Sequence, residues 1–136
     1  MAIIAGQTAA GTTKTVLVDD DGKVYTVSGA VSSSTGLEIG SVTTVPTNTI
    51  TTVLNFTNAS TALNCNMIYA TGTANAEWFV YINDVLKISQ RTTAADIKLQ
   101  IPMNGFILNN TDNIKVKVKH YRPATQDFDC SLGYTR

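Results

Sequence analysis

Apolar and polar residues alternate at period two along most of the chain, in short runs separated by turn residues. Period two is the signature of strands with one face buried. The runs rich in Thr, Ile, Val, Tyr and Phe fall at residues 49–56, 63–70, 77–82, 85–89, 96–101, 105–108, 114–121 and 128–134. No window of a dozen residues carries apolar positions at i, i+3, i+4 and i+7 without β-branched residues or breakers, so no helix is expected. Asn83-Asp84 separates two of the runs and suits a two-residue hairpin turn with positive φ at both positions. Pro102 is expected to stop the run before it. About eight short strands at this spacing predict an all-β, antiparallel β-sandwich, jelly-roll-like.

The pattern changes toward the N-terminal side. Residues 1–41 are dominated by Gly, Ala, Ser and Thr and read as an extended arm and linker, with the sandwich in residues 42–136. The arm carries one hairpin signal, in which Val16, Leu17 and Val18 face Val24 and Tyr25 across Asp19-Asp20-Asp21-Gly22. A Ser/Gly-rich linker follows. Leu37 and Ile39 then form a short apolar stretch suited to docking on the domain or on a neighbour.

The chain has 136 residues, 43% hydrophobic and only 15% charged, with formal net charge zero. A packed core is within reach of this composition, and Thr, Asn and Ser fill the surface instead of charge. Zero net charge supplies no global field for nucleic acid or an anionic membrane. No apolar run approaches the roughly 18 residues of a membrane span, and the first residues lack the pattern of a secretion signal. Neither nucleic acid nor membrane is an expected partner. The product is therefore expected to stay where it is made, or to leave inside an assembly or by lysis.

Candidate chemistry is sparse. Asp19, Asp20 and Asp21 lack the spacing of a calcium loop and read as a solvated turn. Cys65 and Cys130 sit in no metal-binding motif and alternate with apolar neighbours. They read as two buried thiols, or as a disulfide between the first and last strands in an oxidising compartment. His120 is the only histidine and by parity lies on an apolar face. No nucleophile motif accompanies it, so no catalytic residue, metal or cofactor is expected and the chain is not expected to be an enzyme. Lys115, Lys117 and Lys119 share one strand face, which reads as a solvent face, a guard against edge aggregation or a basic ladder. No aromatic residue interleaves with them in sequence. Trp78, Phe79 and Tyr81 lie in a run that is apolar on both faces, which calls for cover on both sides. One cover is the core. The other is a homo-oligomer interface, or a sugar stacked on Trp78 or Tyr81.

Two stretches carry a resemblance. Ala5-Gly6-Gln7-Thr8-Ala9-Ala10-Gly11, leading into Val16 through Lys23, resembles the N-terminal arms of small tailed-bacteriophage virion proteins. Residues 78–88, Ile101-Pro102-Met103-Asn104-Gly105 and Asn113-Ile114-Lys115-Val116-Lys117-Val118 are similar to phage jelly-roll domains, with Asp112-Asn113 where Gly-Asp is usual. The resemblance implies a capsid decoration (cement) protein on the virion surface, often a homotrimer, whose arm lies along the major capsid protein. A head-fibre or tail component, including a glycan-binding adhesion module, is implied equally.

Overall fold

The computed structural model describes residues 34–73, 75–93 and 98–136. Val16, Leu17, Val18, Val24, Tyr25 and the hairpin signal between them lie outside the described residues. The described body is all-β, and its compact unit runs from Thr35 to Arg136.

Nine strands follow in chain order: β1 (Thr35–Val45), β2 (Thr51–Thr57), β3 (Leu63–Thr71), β4 (Ala76–Ile82), β5 (Val85–Arg91), β6 (Lys98–Pro102), β7 (Ile107–Leu108), β8 (Asn113–His120) and β9 (Gln126–Thr135). The first sheet has the order β1-β9-β3-β6, with β7 also on β3, and the second has the order β2-β8-β4-β5. All pairings are antiparallel. β6 and β7 are two halves of one interrupted edge strand, parted at Gly105, whose φ is +92°. With these halves taken as one, the path is the eight-stranded jelly roll, so the expected sandwich class is the observed one.

Eight of the nine strands overlap the runs of alternating residues. Asn83 and Asp84 have φ of 50° and 63°, the left-handed pair a tight hairpin requires. The exception is β1. Its sheet pairing begins at Thr35, so residues 35–41, arm-like in composition, are hydrogen-bonded to β9.

The core lies between the sheets. Trp78 on β4 meets Phe128 on β9 edge to face, with ring centroids 5.6 Å apart. Around them close Leu63, Ile68, Val80, Ile101, Ile114, Val116 and Leu132, all fully buried. Two polar side chains in this interior are satisfied. His120 Nε2 is 2.7 Å from the Val45 carbonyl oxygen, and Arg122 N–H donates to Nδ1 at 3.2 Å. The Nε2–H tautomer satisfies both contacts, and His120 is therefore a structural clamp between β8 and the end of β1. Asn58 donates through Nδ2 to the Thr61 and Leu108 carbonyls, and its Oδ1 accepts from Ser60 N–H and Arg136 Nη1. It ties the β2–β3 loop to β7 and to the end of β9.

Cys65 and Cys130 are buried and unlinked. They lie on adjacent strands, but Cys130 stands opposite Ala70, five residues along β3 from Cys65. At about 3.3 Å per residue this separates them by roughly 17 Å, far beyond disulfide reach. Burial pushes the Cys65 thiol up to about 11, and burial followed by the Asp129 charge pushes Cys130 up to about 12.

Candidate functional site

The two outer faces of the sandwich carry what the core does not use. On the first sheet, register aligns Ile39, Ser131, Tyr69 and Gln100 in one row across β1, β9, β3 and β6. The next row is Leu37, Gly133, Met67 and Pro102. Small residues on β9 therefore leave a groove, with the apolar side chains of β1 on one side and those of β3 on the other. A depression of about 420 Å³ opens here, lined by Leu37, Ile39, Tyr69, Leu99 and, at its polar end, Asp129 and Lys98. Leu37 is 54% exposed, Ile39 70% and Tyr69 46%.

The cause of this exposure is local. β1 is turned inside out: Gly36, Glu38 and Gly40 point inward and Leu37 and Ile39 outward. A Cβ on Gly40 would collide with the Val53 carbonyl of β2, and one on Gly36 would collide with the Tyr134 ring. Only glycine lets β1 lie this close to its neighbours. A one-residue slip would bring the leucine and isoleucine inward, but it would drive side chains into those contacts. Val42, opposite Phe128, packs against the core in this same phase, and an extra residue opposite Asp127, between Val42 and Val45, then switches the parity so that Val45 is buried as well. Thr44 in this bulge has φ of 53°, and its N–H donates to Asp127 Oδ1 at 2.9 Å.

The outer face of the second sheet is different in kind. Lys115, Lys117 and Lys119 alternate with buried Ile114, Val116, Val118 and His120 along β8. Across β8 and β4 they stand opposite Tyr81, Phe79 and Glu77, and β5 adds Leu86, Ser89 and Arg91 in the same rows. Thr52 and Asn55 of β2 complete the face. The Lys117 ammonium lies 4.8 Å from the Tyr81 ring centroid, and Lys119 and Arg91 lie 5.4 Å and 4.6 Å from that of Tyr121. Such contacts contribute about 0.5–1 kcal/mol each at partly exposed sites. The Tyr121 hydroxyl donates to Glu77 Oε1 at 2.9 Å. Lys115 pairs with Asp84 at 2.8 Å, a hydrogen bond and charge that hold the Asp84 carboxyl below its ordinary range.

Two expectations change here. Trp78 is 1% exposed in the core, because parity on β4 sends Ala76, Trp78, Val80 and Ile82 inward. It belongs neither to an oligomer interface nor to a sugar platform. Phe79 and Tyr81 do face outward, half-buried, beside the lysines. The lysines are therefore interleaved with aromatics after all, supplied by β4 and by Tyr121 rather than by their own strand. Alternation in the β8 run marks which of its residues share an outer face, but the pairing of β4 with β8 joins residues over thirty positions apart. Among the described residues no group of three or more His, Cys, Asp or Glu side chains is placed to hold a metal.

Comparison with family models, with curated proteins and with solved structures finds no match to this chain.

Proposed function

We propose that the chain is a virion structural protein of the capsid-decoration type, attached through its N-terminal arm and the adjoining strand to the major capsid protein. The observation that carries this reading is the outward Leu37 and Ile39 on β1, the strand that directly follows residues 1–34. Apolar side chains exposed beside a groove are a docking surface. Among the described residues β1 is an edge strand whose ladder partner is β9, so a partner strand could add to its other side. The jelly roll is compatible with this role but does not argue for it alone, since one fold hosts many functions. The resemblance in the arm supplies the choice of a capsid as partner. The work done is mechanical: several arms per assembly bridge neighbouring subunits, and the multiple contacts add as avidity.

The test is cosedimentation with shells assembled from the major capsid protein of the proposed virion. The full chain is expected in the pellet. Leu37→Ser with Ile39→Ser, and a chain beginning at Ser34, are expected to stay in the supernatant while still folded. Retention of both variants on the shells would end the proposal. Light scattering reads the number of copies, with three expected. The adhesion alternative loses Trp78 as its stacking platform, since that ring is buried, and keeps Tyr81 on the outer face of the second sheet.

A further inference from the structure

We propose that the outer face of the second sheet binds a linear acidic polysaccharide of the uronate class, with Lys117, Lys119 and Arg91 taking its carboxylates and Tyr81 and Tyr121 its sugar rings. Lys115, Lys117 and Lys119 repeat along β8 at roughly 6.7 Å, twice the rise per residue of a strand. Tyr81 and Phe79 repeat at the same pitch on β4 alongside. Cations and aromatic rings thus form two parallel ladders on an open sheet, a surface that accepts an extended chain.

Charge selects the polymer. On this face Lys115 is ion-paired, with Asp84. Lys117, Lys119 and Arg91 rest on tyrosine rings, and of the three Lys117 also lends its charge to Asp84 beyond ion-pair distance. Their charge is therefore available to an incoming anion, which draws the ammonium of Lys117 outward and uncovers the ring beneath it. Glu77 decides between kinds of anion. It stands in one row between Lys119 and Arg91. A polyphosphate, charged at every unit, sets a phosphate against that carboxylate. A uronate chain carries hydroxyls between its carboxylates, and these can donate to Glu77 and bond with Ser89 in the next row or with Thr52 and Asn55 on the far side of β8. Sugar faces stack on tyrosine through their apolar C–H surfaces, as amphipathic rings allow.

The experiment uses the full chain against immobilised polygalacturonate, alginate and hyaluronate, with dextran as neutral polymer and oligo(dT) as polyphosphate. Binding to at least one uronate polymer is expected, with none to dextran and with weakening as salt rises. Lys117→Gln combined with Lys119→Gln is expected to weaken binding by roughly tenfold or more, the loss of one to two charge-assisted contacts. Tyr81→Ala is expected to weaken it comparably, and Tyr81→Phe to retain it. Thermal melts confirm that each variant remains folded. Silence across all three uronates overturns the proposal, as does tighter binding to oligo(dT). A third result also overturns it. Phe79 and Tyr81 are residues that the sequence marks for self-association, and one face cannot serve both uses. If Lys117→Glu dissolves an oligomer in light scattering, this face is covered by another copy.

Discussion

The outer faces of the two sheets solve opposite problems with the same alternation. On the second sheet, strand parity works as expected. Ala76, Trp78, Val80 and Ile82 of β4 and the apolar residues of β8 go inward, and Lys, Glu, Tyr and Phe79 go outward, where cations lie on rings. On the first sheet, β1 runs in the reverse phase, with glycines inward and Leu37 and Ile39 in solvent. The second face is held in place by what lies beneath it. The first is held by what is missing beneath it, the side chains at Gly36 and Gly40. An exposed apolar row created at the cost of two core positions points to a partner, whereas a charged row is what any solvated sheet shows until its charges are found unpaired.

The largest expected effect tests the ordinary phase of the second sheet. Trp78→Ala should cost about 3–5 kcal/mol in urea unfolding, while Tyr81→Ala, three positions on but facing outward, should cost about 1 kcal/mol or less. Equal losses would mean that β4 is not divided into a core face and an outer face. Next comes the reversed phase of the first sheet. Gly40→Ala forces a Cβ into the Val53 carbonyl, which is backbone and cannot swing away, and should cost about 1–3 kcal/mol. A neutral Gly40→Ala in the same assay would show that β1 is free to shift outward.

Titration separates the regions further. Cys65 and Cys130, both on the first sheet, have folded pKa values raised from 9.0 to about 11 and about 12. The folded state then holds protons that the unfolded state releases, so this stability is complete below pH 9 and is lost as pH rises toward 12. Cys130→Ala should flatten the alkaline limb of the stability profile, and neither thiol should react with iodoacetamide at pH 8 without unfolding. The loops at the end of the second sheet respond in the other direction. Hydrogen bonding and the charge of Lys115 lower Asp84, and hydrogen bonds from Asn83 and from Asn109 N–H lower Asp112. Their contribution is present above the ordinary carboxylate pKa and fades as pH falls through the lowered value. Asp112→Asn should therefore reduce the loss of stability on acidification, read from melting temperatures between neutral pH and pH 3. The smallest expected effect is that of Gly133→Val. A Cβ there meets nothing closer than the Met67 carbonyl oxygen at 3.8 Å, so stability should change by no more than about 1 kcal/mol, while the filled row between Leu37 and Met67 should lower capsid binding in the cosedimentation assay.

Legibility from sequence followed the same division. Where alternation and burial agree, as in 114–121 and 128–134, strand, face and turn could be read directly, and Asn83-Asp84 announced its own geometry. β1 was hidden because Leu37 and Ile39 are outward, its first inward positions are Gly, Glu and Gly before Val42, and a bulge at Thr44 breaks the period before Val45. Leu37 and Ile39 were nonetheless marked as a docking stretch, since two apolar residues in a polar linker are conspicuous whatever the strand does. Trp78 was misplaced for the converse reason. In a run apolar at every position, size does not reveal which parity faces the core, and only the contact with Phe128 settles it. The joining of Tyr81 to Lys117 depends on a strand pairing that no local pattern encodes.

The register of β1 on β9 has a mechanical consequence. Thr35 stands opposite Thr135, and pairing continues to Val45 opposite Gln126. A tether pulling on Thr35 away from Thr135 would load the ladder at one end and peel it open pair by pair, at low force. The same tether pulling along the strand, against a body gripped at its far end, would load every rung together and break only when all yield. The β1–β9 ladder is therefore directional: weak when prised open from Thr35, strong when drawn lengthwise.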